Sequence, residues 1–532
     1  MNRVIAFSVL VLLLQACSRA PEAPLPEAPV AAAPATLATV AWVKPEGANI
    51  EPIFAQAKVS NKPVFLYWGA VWCPPCNQIK ATVFNRQDFI ERSKLFVPVY
   101  LDGDTSGAQK LGAQFKVRGY PTMILFKSDG TELMRLPGEV DATQYMELLS
   151  LGLASSSSVK QSLAAALAGA GATLAPEAWR LLAYYAWDQD EAQLVPQKER
   201  AGTLHKLAQL CPATQREAAS RLALKAMAAA ALDNAVLPDV EGALARVHQI
   251  LGDAPLARAN FDVLVNYGAG IVPALTWADS AERGALLVTW NAVLDKFAAD
   301  PSLSNADRLS AVSTKVALAK LDGSKTTRTS LEPGLMTQVR AVVAASDHAA
   351  TSTYERQAVI PNAADLLSEI GLLEESDALL KAELPKALSP YYHMLVLAAN
   401  ARKRGDNLGS LDWAEQAWNA AKGPATRLQW GSGYVNRLIE LTPKDVQRIE
   451  KAASRVLAEL DAVPETFYER NRRGLEKMGQ RLLVWSQNGQ HSAVFNKLTA
   501  QLNTVCAKLP PQDESRVACD GLFKVRPAGA KV

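Results

Sequence analysis

Two cysteines three positions apart, Cys73 and Cys76 in the stretch Trp72-Cys73-Pro74-Pro75-Cys76, are the residues of this 532-residue chain whose types and spacing could do chemistry. Such a pair closes into a small disulfide ring and reopens by thiol exchange. If the stretch opens a helix, Cys73 sits where the first N–H groups lack partners, so the helix dipole stabilises its thiolate and lowers its pKa. Cys76 lies one turn further in. The expectation is an exposed attacking thiolate, Cys73, that forms a mixed disulfide with a substrate, and a resolving thiol, Cys76, that releases the product. Pro74 and Pro75 suit a first helical turn, where a missing N–H costs nothing and φ is already set. A zinc site would need a second Cys or His pair at ligand spacing, and the chain has none. A c-type haem site would need histidine after Cys76, and position 77 is Asn77.

The elements that must position the pair are readable on both sides. Residues 63–68 are an apolar run of strand formers, and Gly69-Ala70 leads from it straight to the cysteines. That order is strand, tight turn, helix. Further on, Val117-Arg118-Gly119-Tyr120-Pro121-Thr122 precedes a second apolar run at 123–126, the turn Ser128-Asp129-Gly130 and a strand at 131–136. Helical spacing marks 49–58, 88–93, 107–115 and 141–151, the last with Asp141 as its N-cap, and 96–101 reads as a buried strand.

With Trp-Cys-x-x-Cys and Gly-Tyr-Pro-Thr in place, residues 40–152 resemble a thioredoxin-fold domain. They are most similar to the soluble domain of membrane thiol:disulfide interchange proteins, and Arg-Gly-Tyr-Pro-Thr is similar to protein disulfide isomerases. The resemblance implies a cis-proline at Pro121, preceded by Tyr120 and packed against the disulfide, and thiol–disulfide oxidoreductase activity with no cofactor beyond the cysteines. One residue departs from the pattern. The family keeps a buried acid six positions before the first cysteine, where this chain has Tyr67, so the resolving step must use water or another base. Trp72 is expected at the surface, lining the substrate groove, with simple packing as the competing reading.

The charge balance of 56 Lys and Arg against 53 Asp and Glu leaves a net +3, which does not point to nucleic acid. Residues 1–17 read as an export signal: Arg3, then an apolar stretch at 4–14 too short to span a bilayer. Leu14-Gln15-Ala16-Cys17 resembles a bacterial lipobox, which makes Cys17 the lipid attachment site; Ser18 after it favours the outer membrane by the family rule. Ordinary peptidase cleavage nearby is the competing reading. Residues 18–39 are rich in Pro and Ala and read as a tether reaching up to about 60 Å from the membrane if extended.

After a linker at 153–159, residues 160–532 are Ala- and Leu-rich with helical periodicity and almost no strand signal. The fold class is therefore an α/β thioredoxin fold followed by a large all-α solenoid of helical hairpins. Ala364, Gly371 and Pro390 recur 34 positions later as Ala398, Gly405 and Pro424. That period resembles a tetratricopeptide pair over 360–424, with the prolines ending units. Such arrays offer a face to partner proteins; capping and stiffening is the competing role. Cys506 and Cys519 flank Leu509-Pro510-Pro511 at a helix corner and are expected to form a structural disulfide, Cys211 to be a buried small hydrophobe, and residues 524–532 a basic tail. The five histidines stand singly, so no metal site is expected.

Two function classes follow. One is a membrane-tethered, periplasm-facing reductase or isomerase of protein thiols and disulfides, fed by a membrane or periplasmic redox donor, with the helical array recruiting substrate or donor. The other is an interaction scaffold in which the thioredoxin-like part docks or senses redox state without turnover.

Overall fold

Strand-forming residues at 64–69 make the centre of the sheet. In the computed structural model, which describes residues 39–190, 193–321, 331–460, 463–488 and 491–524, β1 (Val64–Gly69) is buried along its whole length. A strand covered on both faces reads as a continuous apolar run, as this one does. It pairs in parallel with β2 (Val97–Asp102) and antiparallel with β3 (Thr122–Phe126), which pairs antiparallel with β4 (Glu132–Leu136), giving the order β2-β1-β3-β4. Register places Tyr67 opposite Tyr100 on β2 and Met123 on β3.

Five helices complete this layer: α1 (Glu51–Ser60), α2 (Pro74–Ile79), α3 (Gln87–Ser93), α4 (Ser106–Gln114) and α5 (Ala142–Ala154). α2 runs on through a π-helical turn, Lys80–Phe84. Asp141 caps α5, accepting the amides of Thr143 and Gln144. This small mixed sheet with flanking helices is the thioredoxin fold, and from residue 159 onward the described chain is helical. The expected signal, Cys17 and all but Thr39 of the tether fall at 1–38, and all but Lys524 of the tail at 525–532; these lie outside the described residues. No helix among the described residues is long and apolar enough to cross a membrane.

The stretch expected to be a linker does not separate two bodies. Ser158 forms a capping box with Gln161, and Val159 is buried in an apolar core that runs from β1 and β3 through the array to Phe523. Arg135 of β4, fully buried, donates to the carbonyls of Phe115, Lys116 and Gln189 and pairs with Glu132 and Asp190. A β-bridge joins Val117 to Asp190. The sheet and the first helices of the array are thus fastened together through the backbone.

The 34-residue period recurs as contacts. Ser376 Oγ donates to the Ala364 carbonyl at 2.7 Å, and 34 positions on Ser410 Oγ donates to the Ala398 carbonyl at the same distance. Gly371 and Gly405 both take the left-handed turn (φ 85° and 81°) that a side chain would strain. Pro390 and Pro424 differ from the expectation. Each opens a helix (Pro390–Lys403, Pro424–Leu441) instead of closing one, because the first helical position is where the missing N–H is harmless. Two helices, Ala254–Ala259 and Phe261–Leu275, meet at buried Asn260, whose side chain donates back to the Leu256 carbonyl.

Cys506 and Cys519 are joined in a disulfide between the helices Ser492–Cys506 and Glu514–Gly521, with Cα atoms 5.6 Å apart. Closing a loop of 13 residues is worth about 3 kcal/mol through the unfolded state. Denaturant unfolding of C506A/C519A should read a loss of about that size; a loss under ~1 kcal/mol would show the link to be ornamental. Cys211 is free and buried, and burial pushes its thiol up to about 11, which leaves it protonated and inert at neutral pH.

Candidate functional site

β1 delivers the chain to the site and α2 holds it there. Cys73 is the N-cap of α2 with extended backbone (φ −68°, ψ 117°), and Pro74 and Pro75 fill the first turn. The Cys76 amide donates to Cys73 Sγ at 3.3 Å, and the two cysteines are joined in a disulfide with Cα atoms 5.2 Å apart. Asn77, fully buried, pins the turn by donating from Nδ2 to the carbonyls of Val71 (2.7 Å) and Cys73 (2.8 Å). The Tyr120–Pro121 peptide is cis. Tyr120 is fixed by its hydroxyl, which accepts from Gln109 Nε2 at 2.8 Å and donates to the Gly103 carbonyl at 3.2 Å.

Tyr67 stacks on Tyr100, ring centroids 5.2 Å apart, and its buried hydroxyl has no hydrogen-bond partner among the described residues. Burial drives its pKa far up, so it stays a neutral phenol. It is no substitute for an acid.

Trp72 and Cys73 depart from expectation. Trp72 is 7% exposed and Cys73 3%. The helical array covers them: its own helices lie where a substrate groove was expected. Trp72 stacks on Tyr392 (5.6 Å, 17°), meets Trp430 edge-on at 4.9 Å and lies 5.5 Å from the Arg470 guanidinium. Its Nε1 donates to Asp104 Oδ1 at 2.9 Å and Thr426 Oγ1 at 3.1 Å, and Thr426 Oγ1 itself donates to Asp104. The Trp72 carbonyl accepts Gln357 Nε2 at 3.1 Å, and Gln357 Oε1 accepts the Ser389 amide. These partners come from four helices: Thr353–Glu369, Pro390–Lys403, Pro424–Leu441 and Glu469–Asn488. A fifth, Asn305–Ala319, contributes Asp307, which accepts Gln78 Nε2 at 2.7 Å.

Sequence reasoning missed Asp104 and all of these array residues. Burial raises the Asp104 pKa, opposed by the hydrogen bonds from Thr426 and Trp72. Asp104 follows Asp102-Gly103 at the end of β2, close enough in topology to the cysteines to have been singled out; the array residues carry no local signal. Lys80, near the rings of Tyr100 and Tyr354, has its pKa lowered by burial, although Asp102 and Asp104 act the other way. Among the described residues no group of three or more His, Cys, Asp or Glu is placed to hold a metal ion.

The covering is incomplete. A chamber of about 480 Å³ remains between the two parts, lined by Pro75, Tyr120 and Pro121 on the disulfide side and by the helices Phe261–Leu275, Asn305–Ala319 and Thr353–Glu369 on the other. Pro75 is exposed to solvent while both cysteines are buried.

A sequence profile of the thioredoxin-like domain matches residues 51–152. A thioredoxin-like protein of Synechocystis sp. is 32% identical over 107 residues, which take in 20% of this chain and 94% of that protein. The chain belongs to the thioredoxin-like family. The thiol:disulfide interchange protein DsbD of Pseudomonas fluorescens is 30% identical over 104 residues, 19% of this chain and 18% of that protein. The chain thus spans less than a fifth of that relative's length. A DsbH oxidoreductase of known structure matches 24% of this chain and 93% of its own at 20% identity, with a TM-score of 0.20. The thioredoxin-like domain carries the Cys73-x-x-Cys76 pair and is homologous to thiol:disulfide interchange proteins.

Proposed function

We propose that the protein is a membrane-tethered, periplasm-facing thiol–disulfide oxidoreductase of the protein-disulfide reductase or isomerase type, working through Cys73 and Cys76. The observation that carries this reading is the Cys73–Cys76 disulfide at the start of α2, with Pro75 and the cis-bonded Pro121 on one chamber wall. In the reduced form the Cys73 thiolate would accept the Cys76 amide and face the helix dipole, both of which favour the anion.

The thiolate attacks one sulfur of a substrate disulfide. A Cys73–substrate disulfide forms and one substrate thiolate leaves. Cys76 then loses its proton and attacks Cys73 Sγ, which expels the second substrate thiolate and leaves the Cys73–Cys76 disulfide. Two electrons have passed to the substrate, and a dithiol donor must return them. With Tyr67 a neutral phenol, the proton of Cys76 goes to water or to a base on the chamber side. The export signal and Cys17 support a lipid anchor and a periplasm-facing site, favouring the outer membrane, and the array is read as the part that admits substrate or donor.

The burial of Cys73 favours a second reading: a scaffold in which the array holds the disulfide closed and no turnover occurs. Turnover of a disulfide substrate by the full chain separates the two. Activity that disappears in C73A, with a glutathione-titrated potential near that of thioredoxin, about −270 mV, marks a reductase; a potential near −180 mV marks an isomerase. Turnover equal in wild type and C73A would leave the scaffold.

A further inference from the structure

Five carboxylates and one cation line the chamber beside the disulfide: Glu139, Asp188, Asp307, Asp365 and Glu369 against Lys225. Three of the five are already committed. Asp188 accepts Lys225 Nζ at 2.9 Å and the Tyr267 hydroxyl at 2.5 Å; Asp307 accepts Gln78 and caps its own helix through Ser304; Glu369 pairs with Lys320 and Lys403. Glu139 and Asp365 make no hydrogen bond or ion pair among the described residues.

Glu139 sits on the loop Pro137-Gly138-Glu139, and Gly138 lies so close to Pro121 that an added Cβ would come within 3.1 Å of the ring. Its carboxyl is surrounded by protein yet open to the chamber. The charged groups that face it are Lys225, Asp188, Asp262 and Arg221. They cancel, because Lys225 is tied to Asp188 and Arg221 to Asp262 by ion pairs of 2.9 and 2.6 Å. Burial therefore prevails and raises Glu139 to about 7. Asp365 is solvent-exposed at the other wall, beside Glu369. The chamber has an acidic outer wall at Asp365, an uncompensated acid inside, and Pro75 and Pro121 of the disulfide site at its inner wall.

We propose that this chamber is the substrate-binding site, and that it admits an extended peptide segment whose reactive cysteine stands next to lysine or arginine. The inference rests on the oxidoreductase reading above. About 480 Å³ falls within the roughly 300–1,000 Å³ of ligand pockets, enough for a few residues and far too little for a folded domain. A cation drawn in by Asp365 and seated against Glu139 supplies the countercharge that the protein withholds, and it brings the neighbouring sulfur to the Pro75–Pro121 wall. Folded proteins with internal cysteines are excluded.

The test uses the full chain, reduced with dithiothreitol and then freed of it, in single turnover. Its substrates are five-residue peptides with one cysteine, flanked by lysine or by glutamate and joined through a disulfide to thionitrobenzoate. Cys73 attacks the peptide sulfur and releases the coloured thiolate; Cys76 then displaces the peptide thiol, so the two electrons come from the protein dithiol. Whole-molecule attraction by the net +3 charge would favour the glutamate peptide, so the opposite preference reads the chamber.

The expected result is a rate constant about tenfold higher for the lysine peptide at low ionic strength, equivalent to about 1.4 kcal/mol. That ratio should shrink with salt as the Debye length falls to about 3 Å at 1 M, and drop below about twofold in E139Q/D365N. Should the double variant unfold, the E139Q single variant and the salt series on wild type carry the same comparison. A ratio near one in wild type, with release still dependent on Cys73, overturns the chamber and leaves the oxidoreductase standing. Release from both peptides that C73A does not diminish overturns the oxidoreductase reading and this proposal with it.

Discussion

Replacing Trp72 with alanine should cost about 3–5 kcal/mol of folding stability, the range for deleting a large buried aromatic side chain. Reduced Cys73 should at the same time become far more reactive to alkylation. The stability loss follows from packing: the indole is 7% exposed and wedged between Tyr392, Trp430 and Arg470. The reactivity follows from position, since Trp72 adjoins Cys73, donates from its ring to Thr426 and accepts Gln357 at its backbone carbonyl. A rate of iodoacetamide modification raised by a factor of about ten or more would mean that at least about 1.4 kcal/mol of closure ran through this one side chain. W72F separates the two contributions. It keeps most of the packing and forfeits the Nε1 bond to Asp104, a hydrogen bond to a charged group worth about 1.5–3 kcal/mol. If W72A alkylates at the wild-type rate and unfolds at the wild-type denaturant concentration, the array does not hold the active face through Trp72.

Asp262→Ala should be as costly, about 3–5 kcal/mol, for an electrostatic reason. Arg221 and Asp262 face each other with both forks engaged, at 2.8 and 2.6 Å, fully buried, and the guanidinium also lies 3.9 Å over the Tyr184 ring. Burial pushes the Asp262 carboxyl up, but the Arg221 charge and its hydrogen bonds, with Lys225, prevail and hold it below the usual carboxylate range. Removing the acid alone leaves an unpaired charge in the core. Removing both in R221M/D262L leaves none and should be close to neutral. The pH dependence has a definite sign. A depressed folded-state pKa contributes stability that is present above the unfolded value and lost as pH falls through the folded one, so the double variant should lose less stability than wild type on acidification. Guanidinium unfolding at pH 7 and in the acid range measures both; equal losses in the single and double variants would sink the argument.

The sequence made the sheet and the ring of the site legible and left its cover unread. β1, α2, β3 and the Asp141 cap are local statements: an apolar run, a proline pair after a cysteine, an Asp before an amphipathic stretch. The tyrosine at 67 was visible as a departure, and the 34-residue spacing proved to be a spacing of hydrogen bonds. What could not be read was that Cys73 and Trp72 are buried. The residues that bury them lie 285 positions away at Gln357 and 354 at Thr426, and nothing in a Gln or a Thr on an ordinary helix announces a partner so distant. Glu139 carries no local signal in the sequence; the neutralisation of Lys225 by Asp188 and of Arg221 by Asp262, far along the chain, makes it an uncompensated acid.

The distance between Trp72 and Thr426 also sets a clock. A chain is made from its N-terminus at roughly 5–20 residues per second, so some 20–70 s pass between the synthesis of Trp72 and that of Thr426, 354 residues later. For that interval the cysteine pair exists without the helices that cover it. An incomplete chain therefore leaves bare the Trp72–Cys73 face that the finished protein buries.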